Sequence, residues 1–275
     1  MAASTAVWLL AVSAPIAAHA LVVPSCMPPR EARASKVVRA DQSGALILAD
    51  GRIAKLQGLL LPGGIKDRGS QLLQRQALAA IVELTRGRPA ILATRSPKED
   101  RYGRIRAQIL VSGGPGDEWL QAKLLRRGLA RVSIAPDRRE CARELYAAEQ
   151  EARAARRGLW VASPYVIRSP RSLAHPDLGT FQIIEGKVLN AAVSGGRAYL
   201  NFGRNWRTDF TVTISPQDMK SFKADGMDPR KYAGKVIRVR GWIERLNGPE
   251  IEVAVPEAIE VLPGSSAAPV QDSAK

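Results

Sequence analysis

Apolar positions along the chain change their period several times, and each change predicts an element. In "KVVRADQSGALILADGRIAKLQGLLLP" they fall in short β-rich runs, with Asp50 and Gly51 as a hairpin turn between "ALILA" and "RIAKLQGLLL". From Ser70 to Thr85 the spacing lengthens to three and four, which predicts a helix capped by Ser70 and stopped by Gly87. "PAILATRS" and "RIRAQILVSG" then read as two strands on either side of "DRYGR", Asp100 to Arg104. "EWLQAKLLRRGLARV" predicts a short helix ended by Gly128. Arg138 to Trp160 predicts a longer one, with Cys141, Leu145, Ala148, Ala152 and Ala155 on one face and arginines on the other.

Three stretches stand apart from these runs. "VWLLAVSAPIAA" is too short to span a bilayer and leads into "AHA", Ala18 to Ala20, so residues 1–20 read as a signal peptide and the chain as periplasmic or secreted. No Lys or Arg precedes that run, which keeps a retained anchor open. Residues 163–179 hold three prolines and no period, predicting a surface linker, and the small polar residues 263–275 predict a disordered tail. Between them, residues 180–262 form a second β-rich module. Asn247 and Gly248 mark a hairpin there, and Met219, Phe222 and Tyr232 are expected core contacts.

A chain of 275 residues, 45% of them hydrophobic, has room for one large or two modest domains. Its formal charge of +15 draws it to polyanions. Residues 21–174 carry 28 Lys and Arg against 14 Asp and Glu, whereas residues 175–262 carry 12 against 11, so the basic footprint belongs to the first half. An Arg- and Ala-rich coding bias gives the same excess without any partner. Cys26 and Cys141 are the only cysteines, and in an exported chain an even pair predicts a disulfide. With only His19 and His175 beside them, no zinc site of ordinary spacing can be built.

The order of elements, with "DRYGR", "LLRRGLARV" and "AEQEARAARRGLW" in sequence, resembles the staphylococcal nuclease (thermonuclease) family over residues 36–162. The resemblance implies an α+β, mainly β fold: a five-stranded OB-type barrel with helices packed on it. It also implies an ancestral calcium-dependent hydrolysis of nucleic-acid phosphodiesters. In that chemistry carboxylates hold the metal and orient water, and two guanidinium groups stabilise the transition state. The family's N-terminal strand passes near the start of its last helix, which would bring Cys26 towards Cys141. The later module, through "LNFGRNWRTDFTV" and "GKVIRVRGWIERLNGPEIEV", resembles OB-like domains appended to some bacterial members, so a second small OB-like barrel is expected.

Laid on the family's motifs, the Asp-Gly-Asp-Thr turn falls on Gln42, Ser43, Gly44 and Ala45, the first Arg on Lys55, the second metal Asp on Leu60 and the Glu on Gly63. Arg104 alone keeps the family's identity. Two aromatic positions after the "GLA" helix are Ile134 and Pro136. These departures predict a pseudo-nuclease without catalytic residues, metal or cofactor, binding nucleic acid or another polyanion through Lys55, Arg101, Tyr102, Arg104 and Arg106. Arg104 has an ordinary alternative, which is to pair with Glu99 or Asp100. In the second module Arg204, Trp206, Arg207, Arg238, Arg240 and Trp242 interleave cations with aromatics as single-strand binders do. Two other readings stay open: an active calcium-dependent nuclease with displaced acids such as Asp41 or Asp67, and a module that binds a protein.

Overall fold

Five short strands with apolar inward positions close on themselves in the first half of the chain. The computed structural model describes residues 24–63, 67, 71–113 and 116–263; the expected signal segment and all but the first residue of the expected tail lie outside them. Strands β1 (Ser35–Ala40), β2 (Leu46–Leu48) and β3 (Ile53–Leu56) form a meander. β3 pairs in parallel with β6 (Ile105–Val111), β6 pairs antiparallel with β5 (Pro89–Ala93), and β5 returns to β1. A parallel neighbour requires a crossover. Helix α1 (Gln71–Thr85) provides it, burying Ala77, Ala80, Ile81 and Leu84 at helical spacing against the barrel.

β4 (Leu59–Leu60) pairs with β8 (Arg131–Val132), and β7 (Glu118–Trp119) extends the sheet beside β6. Helices α2 (Leu120–Arg126) and α3 (Ala142–Ala154) pack on one another. Cys26 and Cys141 form a disulfide that spans 115 residues and ties the first described residues to the start of α3. The predicted last helix is shorter than its pattern. It stops at Ala154 because Arg156 turns into the left-handed region, and Ala155, expected on the buried face, is exposed. Gly158–Val161 then forms a single 3-10 turn, with the Leu159 N–H donating to the Gly128 carbonyl at 2.9 Å.

Residues 163–179, expected as a surface linker, run along the surface with Tyr165 and Asp177 buried, held by backbone hydrogen bonds of Arg168 to Ile183 and Glu185. Three 3-10 turns begin around Pro164, Pro170 and Pro176, and proline suits such first positions because it has no N–H to lose. Tyr165 is buried, and a small cluster of Ala152, Leu159, Trp160, Tyr165 and Ile183 joins the two halves of the chain.

The second module contains β9 (Phe181–Lys187), β10 (Asn190–Ser194), β11 (Arg197–Asn201), β12 (Thr211–Ile214), α4 (Met219–Ala224), β13 (Val236–Trp242), β14 (Glu244–Arg245), β15 (Pro249–Glu252) and β16 (Ile259–Val261). Met219, Phe222 and Tyr232 lie in its core as expected. The order of pairing is OB-like, with β10, β11 and β12 antiparallel and β15 parallel to β12, but the sheets do not close. β13 has β9 along one edge and β16 on the other over Ile237–Val239; β15 packs against β13 at Gly241 and Ile251 without forming a ladder with it. The module is a five-stranded sheet packed with a three-stranded one.

The outward face of β13 carries Arg238, Arg240 and Trp242, as alternation predicts, yet its arginines are not open. Arg240 is 4% exposed and donates to Glu149 of α3 at 2.7 Å and to Glu260 at 2.6 Å; Arg238 donates to Glu185 at 2.9 Å. The guanidinium of Arg240 also lies 4.4 Å from the Tyr146 ring centroid. This face is the joint between the modules, and it fixes Trp242 over the first barrel.

Candidate functional site

A cleft of about 690 Å3 opens where that joint meets the barrel. Its walls come from the β1–β2 turn, from β3 through Gly63, from Gln74 and Leu78 of α1, from the "DRYGR" turn, from Arg131 to Ala135, and from Phe181 and Trp242 of the second module. The structure thus gathers Gly44, Lys55, Leu60, Gly63, Arg104, Arg106 and Trp242, far apart in sequence, around one space. Arg101 and Tyr102 do not line it. They sit exposed at the tip of the turn, with Arg101 donating to the Tyr102 hydroxyl at 2.6 Å and its guanidinium over the Tyr102 ring.

The end of the cleft aligned with the metal acids is filled with structural contacts. Gly44 and Gly63 both have positive φ, 79° and 86°. A Cβ on Gly44 would lie 2.0 Å from Leu61 Cδ1, and one on Gly63 would lie 2.4 Å from Gln74 Cδ. No side chain fits at either position without displacing its neighbour. Gln74 bridges the two loops, its Nε2 donating to the carbonyls of Gln42 and Gly63, each at 3.1 Å. This clasp is missed in sequence, where Gln74 reads as one more polar position on a helix.

Calcium takes six to eight hard oxygens, several of them carboxylate. The two carboxylates of the cleft are committed elsewhere. Asp67 accepts from the Gly63 N–H at 2.9 Å and from the Tyr165 hydroxyl at 3.0 Å, with Arg131 Nη2 at 3.7 Å. Asp100 accepts from Arg104 Nε at 2.9 Å and from the N–H groups of Tyr102 and Arg104. Asp41 spends one oxygen on the N–H groups of Ser43 and Ala45 and on the Ser43 hydroxyl. This donor set does not fit a calcium ion. Among the described residues the one cluster with ligand atoms close enough for a metal is Cys26, Cys141 and Glu144, whose sulfurs are bonded to each other.

The cationic end is populated. Arg104 and Asp100 form a close pair, Nη2 to Oδ2 2.7 Å, which is the ordinary alternative for Arg104, with Asp100 and not Glu99 as its partner. Burial raises the Asp100 carboxyl, but the hydrogen bonds from Arg104 and the turn N–H groups outweigh it and hold it below the usual carboxylate range. Arg106 pairs with Asp137 at 2.5 Å while its Nε has no partner among the described residues. The Lys55 side chain is exposed and makes no ion pair or hydrogen bond with any described residue. Arg131 is buried at the floor, donating to the Phe181 carbonyl at 2.6 Å between the Tyr165 and Phe181 rings, and burial lowers its affinity for its proton.

Ile134 lies in the wall, and Pro136 does not. The aromatic surface at this mouth comes instead from Trp242, 40% exposed and edge-on to Phe181 at 5.8 Å between ring centroids. Of the other candidates in the second module, Arg204 is exposed on the β11–β12 loop, and Arg207 on that loop stacks over Trp206 at 4.6 Å. They lie outside the cleft, and Arg238 and Arg240 are spent in the joint.

Residues 74–162 match the family described as staphylococcal nuclease homologue. The match includes Arg104 and begins after the segment that carries Gly44, Lys55, Leu60 and Gly63. No curated protein matches the chain.

Proposed function

Starting from a chain that carries a staphylococcal nuclease-type domain, we propose that it grips a nucleic-acid strand in the cleft and does not cut it. One observation carries this reading. The positions that the resemblance sets against the metal-holding acids are a leucine and two glycines where a side chain would have to displace Leu61 or Gln74, while Lys55, Arg104 and Arg106 line the same space. Hydrolysis needs a carboxylate that is free to hold calcium or activate water. Binding needs only cations and a surface on which a base can rest.

Lys55 meets a phosphate as a point charge, without the two-pronged geometry of arginine. Arg104 reaches the phosphate from the other side with its guanidinium fixed by Asp100, so little order is lost on binding. Trp242 offers its ring to a base, which favours single strands over duplexes. The Cys26–Cys141 disulfide supports a periplasmic or secreted location, since such bonds persist in oxidising compartments. No helix among the described residues is long and apolar enough to cross a membrane.

Fluorescence anisotropy with a labelled single-stranded oligonucleotide tests the reading. Affinity is expected to fall steeply with salt and to be the same in calcium or chelator. Lys55→Ala should lower the slope of log K against log salt by about 0.7, one phosphate contact on a single strand. Trp242→Ala should cost about 1–3 kcal/mol of binding and leave that slope unchanged. Binding indifferent to both substitutions would move the partner away from this cleft.

A further inference from the structure

The second module has a groove of its own, with different chemistry. Along β11, β12 and β15 alternate residues point to opposite faces. Ala198, Leu200, Val212, Ile214 and Ile251 go to the core, and Tyr199, Asn201, Thr211, Thr213 and Glu250 face outward into a groove of about 420 Å3. That volume lies within the range of small-ligand clefts, roughly 300–1,000 Å3. Cross-strand register sets these groups in rows, Tyr199 beside Thr213 and Asn201 beside Thr211 and Glu250.

Two loops wall the groove. One carries Trp206, 53% exposed, whose ring is held by the Arg207 guanidinium. The other is the β14–β15 hairpin with Leu246, Asn247 and Gly248. A Cβ on Gly248 would lie 2.6 Å from the carbonyl oxygens of Thr208 and Asp209, so the loops are clasped together and the groove is preformed.

No lysine or arginine lines this groove among the described residues. Its one charged group is Glu250, 8% exposed, which accepts from the Thr213 hydroxyl at 3.0 Å. Burial raises its carboxyl, and Glu252 and Glu244 nearby add to that rise. A phosphate backbone finds no Lys or Arg in the lining itself, whereas a neutral polyhydroxy ligand finds what it needs. Its apolar ring face can lie on an indole or a phenol, and its hydroxyls can bond to an amide, to threonine hydroxyls and to a carboxylate acceptor.

We propose that this groove binds a neutral oligosaccharide, with Trp206 and Tyr199 as the stacking surface and Asn201, Thr211 and Glu250 as hydroxyl partners. The site is separate from the cleft, so it stands whether or not nucleic acid binds there.

The test is calorimetric titration of the full chain with cellotetraose and with the β-1,4-linked tetramer of N-acetylglucosamine. At least one should bind with a Kd of about 1 mM or tighter, with little change on added salt. Trp206→Ala should weaken it at least ten-fold; the ring is 53% exposed, so the substitution removes no core packing. The proposal is overturned if neither tetrasaccharide binds, or if binding persists undiminished in Trp206→Ala. It is equally overturned if a single-stranded oligonucleotide displaces the sugar and loses affinity in Trp206→Ala, which would make the groove a nucleic-acid face.

Discussion

Arg104 and Lys55 illustrate what a residue's identity does and does not disclose. Arg104 in "DRYGR" was legible as a candidate, but its pairing with Asp100 rather than Glu99 depends on how the turn folds back on itself. Lys55 was legible only through the resemblance, and it is the pairing of β3 with β6 that sets it beside Arg106 on the wall of the cleft that Arg104 also lines. The resemblance sets Gly44 and Gly63 against the family's acids, whereas the way Leu61 and Gln74 crowd these two glycines was not legible in the sequence. Paired surface acids also set a pH response. The side-chain hydrogen bond from Arg52 holds Asp50 at about 2, below its usual 3.8. A lowered carboxyl contributes stability that is present above the unfolded value and lost as pH falls through the folded one. The Asp50 contribution to the unfolding free energy measured by urea melts should therefore be full and independent of pH near neutrality and decline from about pH 4 towards 2. In Asp50→Asn this decline should be shallower, and an unchanged decline would contradict the assignment.

At the scale of elements, period and turn chemistry located β5, β6, α1, α2 and the Asn247 hairpin, because each is decided by neighbours within a few residues. What failed depends on distant partners. Glu149 looks like a solvated helix residue, yet it is 1% exposed, accepting from the Val132 N–H at 2.7 Å and from Arg240, 91 positions away. In the second module no ladder joins β13 to β15, and β16 takes part of the edge of β13 instead, which no local pattern announces. The prolines of residues 163–179 read as loop signals, but they open turns packed on β9. The disulfide restrains a long stretch of unfolded chain, so its removal in a Cys26→Ser, Cys141→Ser double variant should cost about 2–4 kcal/mol in chemical denaturation. A loss near zero would mean that the first described residues add nothing to the barrel.

Across the whole molecule, the placement of Trp242 over the barrel rests on the Glu149–Arg240–Glu260 contacts. Breaking a buried pair leaves a charge without its partner, whereas replacing both by apolar residues is far milder. Arg240→Met and Glu149→Met alone should each destabilise by about 3–5 kcal/mol, and the double variant by much less than their sum; additivity in a double-mutant cycle would contradict the coupling. The joint also explains why the basic excess of the first half does not translate into an open basic face on the second. On the proposed reading the cleft holds a strand that it cannot hydrolyse. The most direct test is one denaturing gel of end-labelled single-stranded DNA incubated with the purified chain in calcium and in chelator, with Arg104→Ala as control. Intact strands are expected in every lane, with a parallel native gel showing them shifted. Calcium-dependent fragments that vanish in Arg104→Ala would contradict this reading.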